Sequence, residues 1–592
     1  MNPLGEYQAR LSARRAVSER LDKQFRRIGN ARLITALAGL AMAFFVFGET
    51  VLSAWWLVLP AALFTVLVVV HARVIERLEQ ANRAVGFYEG GVGRLENRWA
   101  GKGQSGERFR SPEHVYSEDL DIFGKGSLFE LLCTTRTRGG EDALARWLLA
   151  PAAMDEVLAR HQAVQELRPR LDLREDLAVS GEAVRAQMDP DAAAQWGTAP
   201  EVRFPPGARA TAFMLAAAVV VTFILYMAGL ATRTPVFIAL FVELGYGFFL
   251  GARTLQIVKS VNAPARDLGL LAKLLQRLEQ EPFEAPLLRK LQLGLGPAGL
   301  VASAEIGRLQ RLVDRLDWQR NIVFAPIAIA LLWSVQLAIA IERWRRRAGP
   351  HIGQWIAQLG EFEALLALSG YSYERPSDPL PELVDDGAGV FEAEGLAHPL
   401  VPEAVRNDLH LGGDLRLMIV SGSNMSGKST LLRAVGLNTV LAWTGAPVRA
   451  TRLRISPLRV GASIKVLDSL QDGRSRFYAE ITRLREIAEL SNSRPPVLFL
   501  IDELLSGTNS HDRKIGAAAI VRTLVERGAI GLITTHDLAL TGIAAELTGR
   551  ASNVHFEDTL SNGALHFDYR LRRGVVERSN ALDLMRSVGL EV

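Results

Sequence analysis

The sequence predicts a mostly α-helical chain that ends in an α/β domain and carries two transmembrane helical hairpins. Three observations point there. Charge-poor apolar runs concentrate near residues 33–70 and 211–250. Amphipathic helical patterns fill most of the remainder up to about residue 384. From about residue 385, short apolar strands alternate with helical stretches and glycine-rich turns, the pattern of a parallel sheet.

The first hairpin rests on "LITALAGLAMAFFVF" (33–47) and "AWWLVLPAALFTVLVVV" (54–70), neither of which carries a charge. Six residues separate them, so they read as two spans joined by a tight loop. Trp55 and Trp56 sit at one end, where indole rings suit a membrane interface. Residues 1–32 hold eight arginines and lysines, the hairpin loop holds none, and Arg73, Arg77 and Arg83 follow. The positive-inside rule then puts both ends of the hairpin in the cytoplasm. A signal peptide fits less well, because a second apolar run follows at once. The second hairpin is "TAFMLAAAVVVTFILYMAGL" followed by "PVFIALFVELGYGFFL", which contains Glu243. A carboxylate at membrane depth is costly and can mark a relay. A neutral Glu243 packed inside the hairpin is the blander reading. A fifth run, 322–341, is as apolar and has basic flanks, with "RWRRR" at 343–347. A fifth crossing would carry the C-terminal domain to the outer side. The expectation is therefore a non-crossing helix; the rival is five spans with the N-terminus outside.

At 592 residues the length allows roughly three to four domains. Hydrophobic content is 49% beside 22% charged residues, which agrees with a few concentrated apolar segments. The net charge of +4 permits contact with nucleic acid or anionic lipid without requiring it. The lone Cys133 excludes an internal disulfide and a cysteine zinc cluster; its plainest role is a small packed residue.

The α/β region carries the chemistry. "LRLMIV" (415–420) reads as a buried strand, then comes Gly422-x4-Gly427-Lys428-Ser429, then the helical "TLLRAVGLNTVLAW". Strand, glycine loop and helix are the context of a P-loop. Backbone N–H groups of such a loop wrap phosphates, and the helix N-terminus adds partial positive charge. The expected ATP-binding set is Gly422, Ser423, Asn424, Met425, Ser426, Gly427, Lys428, Ser429 and Thr430. Lys428 would reach the β- and γ-phosphates, and Ser429 would ligate Mg2+. A second strand, Val497 to Ile501, ends in Asp502-Glu503. Asp502 is placed to hold Mg2+, and Glu503 to polarise the attacking water. Two solvated acids ending an ordinary strand are the alternative. A third strand, "AIGLITTH" (529–536), ends in His536, placed to sense the γ-phosphate. Between loop and acids, Gly473-Arg474-Ser475 precede an amphipathic helix with Ile481, Leu484 and Ile487 on one face. Ser475 is a good helix cap and also a good anion donor.

"GSNMSGKST", "DGRSRFYAEI", "DELLSGTNSHD" and "TTHD" together resemble the ATPase domain of the MutS mismatch-repair family. "TGAPVRA" (444–450) and "AHPL" (397–400) are similar to further segments of that domain. No Leu-Ser-Gly-Gly-Gln signature of an ABC transporter is present. The resemblance implies a Mg2+-dependent ATPase with Lys428, Ser429, Asp502, Glu503 and His536 in one subunit's site, Asn424 on phosphate, and Ser475 acting across a homodimer. It also places Val405 and Asn407 beside the adenine. Residues 126–167 and 352–376 resemble the first and last helices of the family's core. The mismatch-reading and DNA-clasping parts have no counterpart, and the two hairpins stand in their places. "FYE" at 87–89 echoes the family's Phe-x-Glu wedge but lies in a helical stretch without the surrounding domain, and reads as coincidence.

The expected organisation follows. Residues 1–32 form a basic cytoplasmic N-terminus and 33–70 the first hairpin. Residues 71–205 form a helical linker and the start of the core, and 208–252 the second hairpin. Residues 253–384 form a helical lever with the apolar helix 322–341, and 385–592 the ATPase domain. The function expected is a membrane-anchored ATPase in the cytoplasmic membrane with its ATPase domain in the cytoplasm, the lipid bilayer and a second copy as partners, and DNA binding as the inherited expectation. The alternative is a transporter-like machine without a DNA role; a scaffold that does not hydrolyse ATP is disfavoured by Lys428 and Glu503.

Overall fold

The computed structural model describes residues 2–48, 53–385, 387–423, 425–465, 476–505, 509–547, 549–561 and 564–576. Two long helices open the chain, α1 (Pro3–Phe47) and α2 (Val58–Leu95). Next come α3 (Leu128–Leu132), α4 (Arg138–Leu149), α5 (Met154–Leu167), α6 (Leu171–Gln187) and α7 (Pro190–Thr198). The central helices are α8 (Ala208–Met227), α9 (Thr234–Gln280), α10 (Pro286–Gly294), α11 (Ala302–Asp317), α12 (Ala325–Ala330), α13 (Trp333–Ala348) and α14 (Ile352–Glu374). Strands then dominate: β1 (Glu382–Leu383), β2 (Phe391–Leu396), β3 (Asn407–Leu411) and β4 (Leu417–Ser421), followed by helix α15 (Lys428–Thr444). β5 (Arg452–Ile455), β6 (Arg459–Ser463), α16 (Arg476–Leu490), β7 (Val497–Ile501), α17 (Ser510–Glu526), β8 (Ile530–Thr535), α18 (Ile543–Glu546), β9 (Ala551–Ser561) and β10 (Ala564–Arg573) complete the chain. It is thus mostly helical, with mixed α/β structure in its C-terminal part.

The chain divides into two compact units. The first contains Met1–Thr134, Leu144–Leu171 and Ala364–Val592. Its helices α1 and α2 run antiparallel. Arg15 pairs with Glu89 at 2.6 Å, Ser18 donates to Asn82 at 2.5 Å, and Phe25 stacks on His71 with centroids 4.8 Å apart. Residues 1–32 are therefore not a separate segment, as the sequence reading has them. They are the first two-thirds of the helix whose far end is apolar. Asn2 caps that helix, accepting from Gly5 N, and Pro3 pre-sets its first turn. Near its start, Tyr7 packs between Tyr88 and Tyr373. Arg94 donates to both oxygens of Glu374, at 2.7 and 2.9 Å, and Tyr7 donates to the same carboxylate at 3.3 Å. The Glu374 side chain is 2% exposed, so this ion pair is desolvated and held by several hydrogen bonds at once.

The six-stranded sheet has the order β10-β9-β4-β8-β7-β6, parallel except for β10. β4, β7 and β8 are buried along their whole length, as strands covered on both faces must be. Leu417, Phe499, Ile501 and Ile533 pack with Leu484 and Ile487 of α16 and with Val521 and Leu524 of α17. Ile481, expected on the same face of α16, is instead 43% exposed; at three and six residues before Leu484 and Ile487 it has turned off the buried stripe. A second sheet, β1-β5-β2-β3, carries the chain into β4.

The second unit contains Thr135–Ala143 and Asp172–Glu363. α8 and α9 form a hairpin, and α9 runs on through Pro264 to 47 residues, well past the expected boundary at 252. Ala208, Ala212, Leu250, Leu332 and Val335 form its buried seam. Glu243 is fully buried, and neither carboxylate oxygen has a hydrogen-bond partner among the described residues. The run 322–341 is not one helix. It breaks at Leu332, in left-handed conformation (φ 45), between α12 and α13, and neither half has the length of a span.

Among the described residues, four helices are long and apolar enough to cross a membrane: Pro3–Phe47, Ala54–Leu95, Ala208–Met227 and Thr234–Gln280. Their apolar windows are largely uncovered by protein. Faces of that size do not stay bare in water.

Arg94→Ala strands a buried carboxylate and is expected to lower stability by about 3–5 kcal/mol. Arg15→Ala breaks an exposed pair and should cost less than about 1 kcal/mol. Thermal unfolding of the two variants side by side in the same detergent checks the difference.

Candidate functional site

Parallel strands that end on one sheet edge are a recurrent place for ligands. Here Ser421, Ile501 and Thr535 bring β4, β7 and β8 to a common level, because Ser421 is in register with Thr535 and Ile501 with Ile533. The glycine loop leaves β4 at Gly422 (φ 150), turns through Met425 (φ 68) and Gly427 (φ 103), and enters α15 at Lys428. Positive φ at Gly427 suits only glycine without strain, and a Cβ there would lie 3.1 Å from the Tyr569 ring. A Cβ on Gly422 would meet Ser426 Oγ at 2.9 Å and the Phe556 carbonyl at 3.1 Å.

Lys428 is buried at the head of α15 and donates to the loop carbonyls of Gly422 and Ser423 at 2.9 and 2.8 Å. Burial holds its ammonium below the usual lysine range, against the opposing pull of Glu503 and Asp502. Ser429 Oγ donates to Asp502 Oδ2 at 2.5 Å, and Thr534 Oγ1 donates to Asp502 Oδ1. Glu503 takes a left-handed conformation (φ 49), fixed by its N–H donating to Thr534 Oγ1 at 3.0 Å. Strain of this kind persists where the surroundings over-determine it. Leu505 (φ 55) is held by Glu480 of α16, which accepts its N–H at 2.6 Å, and by Arg513, which donates to its carbonyl at 3.0 Å. His536 follows β8, its Nδ1 3.6 Å from Glu503 Oε1.

One cleft of about 590 Å3 collects most of the expected residues: Met425, Gly427, Lys428, Ser429, Thr430 and Glu503, with Val405 and Asn407 also in its lining. Asn407 is less free than expected. Its carboxamide donates to the Tyr569 carbonyl at 3.0 Å and accepts the Leu571 N–H at 2.7 Å, so it secures a bulge in β10. Asn424 and Ser475 lie outside the described residues. The sequence reading missed Tyr569, Phe556, Glu403 and, as a lining residue, His398. Only His398 had a visible signal, the "AHPL" segment. His398 is buried, with Nδ1 accepting the Leu400 N–H at 3.2 Å, and burial pushes its imidazole down to about 4.

Residues 418–591, which contain these strands and the loop, match the family model for MutS domain V. This domain carries the chain's similarity to the MutS family. It is 38% identical over 208 residues to a protein named Endonuclease MutS2 from Thermus thermophilus, covering 34% of this chain and 26% of that one. It is 32% identical over 297 residues to a DNA mismatch repair protein MutS from Natronomonas pharaonis, covering 48% of this chain and 31% of that one. The chain thus spans about a third or less of the length of these MutS relatives. The matched residues include nearly all of the six-stranded sheet and the glycine loop, while the apolar hairpins lie ahead of them.

His398 enters the fold neutral, below the ordinary imidazole value near 6.5. Its contribution to stability is therefore present above about pH 6.5 and is lost as pH falls through about 4. Lowering pH from 7 to 5 should cost about 2 kcal/mol through this group. Unfolding at the two pH values, with His398→Gln losing less than the parent, checks the sign.

Proposed function

We propose that this chain is a membrane-anchored MutS-type ATPase that binds ATP with Mg2+ at the ends of β4, β7 and β8. The observation that carries the reading is a single constellation: Lys428 at the helix head, Ser429 on Asp502, and Glu503 beside His536. The residues present fit a triphosphate. The Ser423 and Ser426 hydroxyls are buried without partners among the described residues, and Lys428 is a partly desolvated cation. Buried polar groups of this kind are stabilised by a ligand that supplies the missing bonds. Ser429 and Asp502 would hold Mg2+, which when bound neutralises charge on the phosphate oxygens.

The rest of the chemistry belongs to the chain. Loop N–H groups and Lys428 orient the phosphates. Glu503 takes a proton from water as the water oxygen bonds to the γ-phosphorus and the bond to the bridging oxygen breaks. His536, beside Glu503, is positioned to report γ-phosphate to the chain beyond β8. Val405 offers apolar surface for the adenine, and the Tyr569 ring covers Gly427 of the loop. Ser475 would complete a second copy's site, which makes the working form a homodimer. The two hairpins anchor the chain in the cytoplasmic membrane with domain V in the cytoplasm. That reading draws on the four uncovered apolar helices and on the basic flanks of the first hairpin.

Hydrolysis does mechanical work only if closed and open forms differ in affinity for something else. The names of the relatives point to DNA. A second reading, ATP-driven movement of a solute, draws on one observation: Glu243, buried in α9 with both oxygens unpartnered.

Purified protein should hydrolyse ATP with Mg2+. Lys428→Ala and Glu503→Gln should each lower kcat by about a hundredfold or more, with Glu503→Gln retaining ATP. An unchanged rate in Lys428→Ala would remove the enzyme reading. Stimulation by duplex DNA, with affinity falling steeply as salt rises, favours the DNA role. Indifference to DNA together with solute uptake in liposomes that Glu243→Gln abolishes favours the second.

A further inference from the structure

The "RWRRR" run at 343–347 has no part in the nucleotide site, and the structure sorts its arginines. Arg345 is buried, bonds Glu342 at 2.6 Å, and donates to the carbonyls of Trp196, Ala199 and Pro200. Arg346 lies 3.6 Å from Glu201, and Arg347 pairs with Glu305 at 2.5 Å. Arg343 is left without an acid partner among the described residues. It lines a cavity of about 570 Å3 together with Arg209, which also lacks one.

The position of this cavity is specific. Arg209 belongs to the first turn of α8, where the apolar span begins. Tyr246 of α9 donates to the Ala208 carbonyl at 3.4 Å, tying the two helices together at this level. The remaining wall is apolar: Phe204 and Ile339 rest on the buried seam of Ala208, Ala212, Leu250 and Val335. Phe213, one turn into α8, is 69% exposed and continues the wall along the span. Gln336, about two turns before Arg343 on α13, adds an amide to the lining. The site therefore offers two cations without an acid partner among the described residues, beside a strip of aromatic and aliphatic surface.

A molecule matching both ends has an anionic head and a hydrocarbon tail. We propose that this cavity binds an anionic glycerophospholipid, its phosphate between Arg209 and Arg343 and its first acyl carbons against Phe204, Phe213 and Ile339. Basic pockets beside membrane helices recognise such headgroups through the same charge. A free phosphate satisfies the arginines but leaves the apolar strip bare, and a zwitterionic lipid brings its own cation to the arginines. The inference rests on the membrane reading of α8 and α9.

Native mass spectrometry of the full chain in mild detergent, titrated with dioleoyl phosphatidylglycerol, dioleoyl phosphatidylcholine or inorganic phosphate, tests it. One tightly held phosphatidylglycerol per chain is expected, with weaker phosphatidylcholine binding. The double variant Arg209→Gln, Arg343→Gln should weaken that adduct by about thirtyfold. Arg209→Lys with Arg343→Lys should retain most of it, which separates charge from folding, and Arg346→Gln should leave it unchanged. Equal retention of both lipids, an unaltered adduct in the double glutamine variant, or displacement by millimolar phosphate overturns the proposal. Carbonate extraction of cell membranes separates the two levels. Release of the chain sinks the membrane reading; a chain that stays embedded but shows no lipid preference sinks only this site.

Discussion

The carboxylate of Asp502 is the hub on which the site depends. It accepts from Ser429 at the head of α15 and from Thr534 on β8, while the Asp502 backbone N–H donates to Ser463 at the end of β6. Ser463's carbonyl receives that N–H at 2.9 Å. One residue thus joins β6, β7, β8 and the helix that follows the glycine loop. The same Thr534 hydroxyl receives the Glu503 N–H and fixes the unusual conformation of the neighbouring acid. The conformation of Glu503 is thus tied to that of Asp502, because both hang on one threonine.

Outside that hub, the first unit transmits order through desolvated contacts rather than surface pairs. Glu374 ends α14, the helix that precedes the strands, and its carboxylate is taken up by Arg94 and Tyr7 from the two helices of the N-terminal hairpin. The tether is short, buried and many-bonded, so α1, α2 and α14 share one arrangement at this point. Glu480 plays a comparable part for the turn after Glu503, holding Leu505 from α16.

Much of the site was legible because its parts are local. Gly422, Gly427, Lys428 and Ser429 sit within one strand–loop–helix, and Asp502-Glu503 end an apolar run of the right length. Each is recognisable from its nearest neighbours in sequence. Tyr569 was not, since its place above Gly427 depends on β10 pairing with β9 and on a bulge that Asn407 secures from another sheet. Asn407 lines the cleft, as the resemblance implies, but the use of its carboxamide on the β10 backbone was not legible locally. Ile481 shows the limit of periodicity: a three-residue spacing drifts around a 3.6-residue helix, and tertiary burial decides which positions count.

The sequence by itself determined where apolar spans lie, where the glycine loop turns, and which acids close a core strand. Those follow from composition, hydrophobic period and backbone chemistry over a few residues. Only the tertiary structure decided that α1 continues unbroken from the basic segment into the apolar one, that 322–341 breaks at Leu332, and that Arg343, of the 343–347 arginines, lacks an acid among the described residues. Glu201, Glu305 and Glu342 are claimed by its neighbours. Which charge finds which partner depends on how distant helices are brought together, and no local pattern encodes that choice.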